Sequence, residues 1–234
     1  MKVEIWSDIV CPFCYIGKRR FEQALQKFPH ADTVEVVWRS FELTPDYQPV
    51  PGRSVYESLA EKKGVPVARA KEMSDNMANM AKEVGLQYDF DNAVPTNTFL
   101  GHQLIHLAAK HGKQGEAKER LMAAYYLQAQ NLNEIDTLVK LATEIGLDAE
   151  EARTALISGT YAEEVRHDEY QAQQINVRGV PFFVFEDKYA VSGAQPAELF
   201  SEVLEKVWDE FKPAKPAPVM VADGPACGPD GCEI

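Results

Sequence analysis

Cys11-Pro12-Phe13-Cys14 stands between a short apolar segment and a run of residues with helical spacing. Two thiols so placed can close into a disulfide and reopen. At the mouth of a helix, one of them meets the positive end of the helix dipole, which favours thiolate, the form that attacks disulfides. The preceding segment, Val3-Glu4-Ile5-Trp6-Ser7-Asp8-Ile9-Val10, suits a strand. Pro12 suits the first turn of a helix, where its missing N–H is not needed. Cys14 then shares a helical stripe with Phe21, Leu25 and Phe28. That stripe should face a core, so Cys14 is expected to be shielded and Cys11 reachable. The roles that follow are Cys11 as attacking nucleophile and Cys14 as the thiol that resolves the mixed disulfide. Half of a zinc site uses the same spacing, but a strand-to-helix position with proline between the thiols favours redox chemistry.

The elements that must hold these thiols are legible on either side. A second strand is expected from Thr33 to Trp38, giving a βαβ-like opening. Thr44 to Arg53, rich in proline, leads out of it. From about Val55 to Gln174 the pattern is helical. Asp148-x-x-Glu151 and Thr160-x-x-Glu163 look like capping boxes, Asp136 precedes an apolar run, and Gly146 ends it as a helix stop would. Strand signals return at Gly179 to Phe185, followed by a hairpin through Glu186-Asp187-Lys188 to Tyr189-Ala190-Val191. Pro196 opens a last amphipathic helix through Leu199, Phe200, Val203, Leu204, Val207, Trp208 and Phe211. The order β-α-β, helices, β-β-α fits an α/β chain with a thioredoxin-like fold interrupted by a large all-helical insertion. The expected divisions are 1–45 and 175–212 for the two parts of the thioredoxin-like domain, 46–174 for the insertion, and 213–234 for a flexible tail.

Composition narrows the partners. A chain of 234 residues with 45% hydrophobic content can bury a substantial core as one or two domains. A formal net charge of −12 disfavours nucleic acids. No apolar run reaches the roughly 18 residues of a membrane-spanning helix. The first strand signal starts by Val3 and leaves no room for an export signal. The expectation is therefore a cytoplasmic protein, in a compartment where disulfides are mostly transient and catalytic. No metal and no cofactor are expected.

Three stretches together resemble the DsbA family: Cys11-Pro12-Phe13-Cys14-Tyr15, Gly179-Val180-Pro181-Phe182-Phe183 and the long helical block between them. Within that family the chain looks like the FrnE-type branch, related to 2-hydroxychromene-2-carboxylate isomerases and kappa-class glutathione transferases. The motifs at Trp6–Tyr15 and Asn97–His102 look like signatures of this branch. The resemblance implies a cis proline at Pro181 facing the thiols, with the Val180 backbone free to pair with an extended substrate. It also implies that Asn97 and His102 face the redox centre. Pro12, Phe13, Val180, Pro181, Asn97 and His102 are thus the candidate substrate-contacting residues, and disulfide-containing proteins or peptides the candidate substrates. Thioredoxin or glutathione is the candidate reductant, glutathione serving as a co-substrate at most. Relatives that isomerise or transfer typically carry serine where Cys11 stands, so a full cysteine pair favours disulfide exchange. Phe13 replaces the histidine of periplasmic DsbA proteins and cannot stabilise a thiolate as that ring does. A potential on the order of −200 to −270 mV is expected, less oxidising than DsbA. Two rival functions remain: a glutathione-dependent isomerase or transferase of aromatic small molecules, and a non-enzymatic redox sensor or holdase.

A second pair, Cys227-Gly228-Pro229-Asp230-Gly231-Cys232, lies in the tail. A type I turn centred on Pro229-Asp230 would bring its thiols together. A linker of about 15 residues reaches roughly 20 Å, enough to make the pair a candidate redox relay or regulator for Cys11, the alternatives being a passive tail or a four-cysteine metal site joined across the molecule. Asp8 either takes up a thiol proton or bonds backbone N–H groups as a turn side chain. His102 and His106 have metal-compatible spacing with no third ligand nearby. Met73, Met77 and Met80 share one helical face, either as core or as an adaptable binding surface.

Overall fold

The computed structural model describes residues 1–211 and the backbone of 227–228 and 231–232. Four strands form the main sheet: β1 (Lys2–Ser7), β2 (Glu35–Ser40), β3 (Phe182–Phe185) and β4 (Tyr189–Ser192), in the order β2-β1-β3-β4. β1 runs parallel to β2 and antiparallel to β3, with Trp6 opposite Phe182 and Ile5 opposite Phe183. Glu186 and Asp187 carry the β3–β4 turn with positive φ, the backbone sense that matches the twist of a tight hairpin. Helix α1 (Pro12–Lys27) joins the parallel pair.

Between β2 and β3 the described residues form only helices: α2 (Val55–Lys63), α3 (Val67–Glu83), α4 (Phe99–Lys110), α5 (Gln114–Tyr126), α6 (Ile135–Glu144), α7 (Ala149–Ser158) and α8 (Ala162–Gln174). α9 (Ala197–Phe211) follows β4 and packs on α1, where the rings of Phe21, Phe183 and Phe200 meet edge to face and tilted. The sheet is therefore a mixed α/β thioredoxin-like sheet with a helical block in mid-chain. Sheet residues Val3, Ile5 and Phe183 share one core with Leu104, Leu121 and Leu138 of the block. No helix among the described residues is long and apolar enough to cross a membrane.

Three local expectations need correction. The second strand starts at Glu35 rather than Thr33, because Ala31–Thr33 forms a 3-10 turn in which Thr33 Oγ1 donates to the His30 carbonyl. It runs on to Ser40, past the apolar residues, because Arg39 and Ser40 find carboxylate partners. Thr160 does not cap α8: its hydroxyl pairs with Ser158, and Tyr161 flanks the helix without a side-chain cap. A reciprocal capping box stands instead at Ser54 and Glu57, opening α2. Asp148 does cap α7 by accepting from the Glu151 N–H, and Gly146 sits past α6 at φ +77°. In the tail, β5 (Cys227–Gly228) and β6 (Gly231–Cys232) pair antiparallel with Cys227 opposite Cys232. The expected turn residues Pro229 and Asp230 lie outside the described residues.

One buried carboxylate ties the block to the sheet. Asp168 of α8 accepts from Arg39 Nη1 at 2.9 Å, from the Ser40 N–H at 2.8 Å and from His106 Nε2 at 3.1 Å. Its backbone carbonyl accepts from the Trp6 indole at 2.9 Å. Burial works against the Asp168 charge, but His106, the Ser40 N–H and Arg39 outweigh it and hold the carboxyl below its ordinary range. The stability it contributes is therefore present above the ordinary carboxylate range and is lost as pH falls through that lower value. Asp168→Ala leaves these donors unmatched and should cost about 3–5 kcal/mol. The check is a lowered urea midpoint at unchanged slope; a midpoint within error of wild type would contradict the assignment.

Candidate active site

Cys11 is the residue flanking the start of α1, with extended backbone, and Pro12 is the first helical residue. The Cys14 N–H donates to the Cys11 carbonyl at 3.0 Å, closing the first turn beneath the thiols. From the other side, the Val180–Pro181 peptide bond is cis. Cys11 Sγ donates to the Val180 carbonyl at 3.5 Å across a separation of 169 residues. This approach depends on Gly17, since a Cβ there would lie 2.9 Å from Pro181 Cγ and 3.5 Å from the Ala194 backbone. α1 can lie against the proline loop only where a side chain is missing.

Both thiols are free, and both are buried, Cys11 at 4% exposure and Cys14 at 1%. The expectation of a reachable Cys11 is thus met in one sense only. Cys11 forms part of the wall of a cavity of about 860 Å³ that opens between the thiols, α2 and α3, while Cys14 lies beneath it. The expectation of a favoured thiolate is reversed in the free dithiol. The hydrogen bond with Cys14 and then burial push the Cys11 thiol well above its ordinary range, against the pull of the Cys14 N–H at the helix start. Desolvation and proton sharing outweigh one turn of helix dipole.

Behind the thiols lies a buried polar group. Burial would raise the Asp8 carboxyl, but His102, the Leu43 N–H and Thr98 hold it low. Asp8 Oδ2 accepts from Leu43 N at 2.8 Å, and Oδ1 faces His102 Nε2 at 3.3 Å. Burial pushes the His102 imidazole down, so the pair is a neutral ring donating to a carboxylate. His106, one turn on, faces Asp168 instead, so the two histidines serve different carboxylates. Gly101 lets α4 come this close: a Cβ there would lie 2.5 Å from Ile9 Cδ1.

The remaining candidates separate by position. Pro12, Phe13 and Val180 line the cavity. Asn97 and His102 do not; Asn97 Nδ2 donates to the carbonyls of Pro45 and Tyr47, and its Oδ1 accepts from the Phe99 N–H at the start of α4. Met73 and Met77 face the cavity, and Met77 and Met80 also pack on the core.

Sequence reasoning missed two features. Tyr88 donates to the Pro12 carbonyl at 2.8 Å and stacks on Tyr126 with centroids 4.3 Å apart, bracing the start of α1 with rings from the block. Lys118 of α5 is buried at 1% exposure and donates to the Ser7 carbonyl at 2.9 Å. Burial pushes its ammonium down to about 8, while Cys14, Asp8 and Cys11 pull the other way. Nothing local marks a surface-patterned lysine as one that will be buried against the end of β1.

A cation there favours thiolate. Lys118→Met should move the pH profile of Cys11 labelling by iodoacetamide upward by about one pH unit, with far-UV circular dichroism checking the fold. Stability gives a second readout. Between about pH 8 and the ordinary lysine range Lys118 holds a proton in the unfolded chain that it lacks in the native state, so its own contribution, read as wild-type stability relative to Lys118→Met, should rise across that window. An unshifted labelling profile would show that Lys118 does not act on the thiols.

Comparison with known proteins agrees with this geometry. A family model of the DSBA-like thioredoxin domain matches residues 2–205. YwbO of Bacillus subtilis is 29% identical over 204 residues, covering 86% of this chain and 94% of that protein. The crystal structure of a probable DsbA oxidoreductase, SCO1869 of Streptomyces coelicolor, is 43% identical and superposes with a TM-score of 0.84 over 100% of this chain and 99% of that one. The cytosolic disulfide reductase DsbM of Pseudomonas aeruginosa, solved with GSH, shares the fold at 17% identity and a TM-score of 0.63, over 88% of this chain and 98% of that one. A match that begins in β1, takes in both thiols and the proline loop and ends within α9 makes this chain a member of the DSBA-like thioredoxin-domain family of thiol–disulfide oxidoreductases.

Proposed function

We propose that the protein exchanges disulfides with protein or peptide substrates through Cys11 and Cys14, acting in the cytoplasm. The observation that carries this reading is the Cys11 thiol in the cavity wall, against the Val180 carbonyl, with Cys14 directly beneath. An extended substrate segment pairing with the Val180 backbone takes over the carbonyl that Cys11 now uses and frees its sulfur. Cys11 thiolate then attacks one sulfur of the substrate disulfide, whose S–S bond breaks, and the departing sulfur takes a proton. Cys14 thiolate attacks Cys11 in the mixed disulfide, releasing the second substrate thiol and leaving Cys11–Cys14 oxidised. The reverse sequence oxidises a substrate dithiol. Thioredoxin or glutathione resets the pair in the reductive direction. Pro12, Phe13, Val180 and Pro181 contact substrate, whereas Asn97 and His102 position the loop and Asp8 from behind. Lys118 stabilises the thiolates.

Two measurements test this. In glutathione buffers, Cys11–Cys14 should titrate as a reversible two-electron couple with a midpoint on the order of −200 to −270 mV, the range that a poorly stabilised Cys11 thiolate supports. Cys14→Ser should trap a mixed disulfide between Cys11 and a model substrate such as insulin. A glutathione-dependent isomerase predicts the opposite: retained activity in Cys14→Ser and no trapped adduct. A couple near −120 mV, or none at any poise, would sink the reading.

The tail pair is proposed as the relay that exchanges electrons with Cys11–Cys14, supported by the backbone register that sets Cys227 opposite Cys232. The double variant Cys227→Ser, Cys232→Ser should then slow recycling severalfold while leaving single-turnover reduction intact. Equal rates in both assays would remove the relay.

A further inference from the structure

The cavity beside Cys11 exceeds what pairing with an extended chain requires. Its roughly 860 Å³ falls in the range of sites that enclose whole small molecules. Phe13, Leu43, Leu59, Met77 and Phe90 make much of its wall apolar. Among them stand the hydroxyls of Tyr47, Ser58 and Tyr126. All three residues line the cavity, and each oxygen is buried with no hydrogen-bond partner among the described residues. An unmatched buried hydroxyl costs about 1–3 kcal/mol, so three around one cavity mark places where a bound molecule gains by offering acceptors. Tyr126 is held in place, stacked on Tyr88 and edge-on to Tyr125 with centroids 4.8 Å apart, so its hydroxyl is preorganised. Charge around the cavity is balanced: Arg53, Lys62 and Lys63 are offset by Asp8, Asp46 and Glu61. Arg53 already pairs with Glu61, and Lys62 donates to the Leu43 carbonyl and to Thr44. Such a lining suits a neutral aromatic body with acceptor groups better than glutathione, whose carboxylates and ammonium would need charged partners.

We propose that this cavity is a small-molecule site, and that the Cys11–Cys14 dithiol reduces low-molecular-weight disulfides whose bodies are neutral, aromatic and acceptor-bearing. The inference rests on the exchange reading above and adds a substrate class to it. Cys11 thiolate attacks one sulfur of the small disulfide. One thiol leaves with a proton, and its partner half stays on Cys11 inside the cavity. Cys14 thiolate then displaces that half as a second thiol. One disulfide forms in the protein for one broken in the substrate, and a dithiol such as dithiothreitol restores the reduced pair. The three hydroxyls bind the aromatic half during the mixed-disulfide stage.

The test uses the full chain with dithiothreitol and compares bis(acetamidobenzyl) disulfide, glutathione disulfide and insulin. Benzylic and glutathione thiols are both alkyl thiols, so leaving-group acidity does not set the order. The benzylic disulfide should show kcat/KM about tenfold above glutathione disulfide. Tyr47→Phe and Tyr126→Phe should each raise its KM about fivefold, the loss of one hydrogen bond, and so shrink the preference. The corresponding benzylic thioether, which cannot react, should inhibit competitively, a readout that needs no variant to fold. Equal rates for the two small disulfides with insulin still reduced would overturn the small-molecule site and leave disulfide exchange standing. Unchanged KM in both tyrosine variants would overturn the hydroxyls' role and the inference with it. Failure of all three disulfides to oxidise Cys11–Cys14 would overturn the exchange reading itself.

Discussion

The antiparallel pairing of β1 with β3 is the constraint on which the site depends. β1 ends at Ser7 and the thiols follow at once, while β3 begins at Phe182, directly after Val180 and Pro181. With Trp6 opposite Phe182, the chain entering β3 has no place to be except beside the start of α1. A one-residue slip in that ladder would turn every β3 side chain to the other face and carry the proline loop away from Cys11. The ladder is held by burial on both faces. Phe183 packs under α1 and α9, and Trp6 and Phe182 belong to a smaller cluster on the opposite face. Gly17 then permits the last step of approach, which no other residue would allow without moving Pro181.

The helical block supplies the floor of the site as well as its wall. His102 comes from α4 and Lys118 from α5, and both are buried against the segment between β1 and the thiols. Each ionisable group there has a specific reason to tolerate burial. Asp8 has a backbone N–H and an imidazole, His102 gives up its charge, and Lys118 reaches the Ser7 carbonyl. A carboxylate or ammonium left unmatched at such a depth would cost several kcal/mol, so the block and the sheet must form together. Asp168 repeats the arrangement at the far edge of the sheet, where α8 clasps Arg39 and Ser40.

The same burial sets the temper of the thiols. A C-x-x-C at a helix start in water would lean toward thiolate, but here the hydrogen bond with Cys14 and burial act against thiolate at Cys11.

The thiol pair, the helix that carries it and the alternation of strand and helix were legible in the linear sequence, because local spacing and turn chemistry determine them, and the cis proline at Pro181 was legible through the family resemblance. Cys14 on an apolar stripe with Phe21 is a matter of helical period alone. What the line of residues did not disclose was which polar groups would be buried and against what. Lys118 and Asp168 have the patterning of surface residues, Asn97 and His102 were expected to face the redox centre, and Cys11 was expected to be open. Arg39 and Ser40 extend a strand only because a carboxylate from α8 meets them. These outcomes turn on contacts between segments fifty or more residues apart, whose energies of desolvation and pairing exceed any local propensity. The sequence alone determined the chemistry available to this protein. Only the tertiary structure decided the electrostatic setting of that chemistry and the shape of the space beside it.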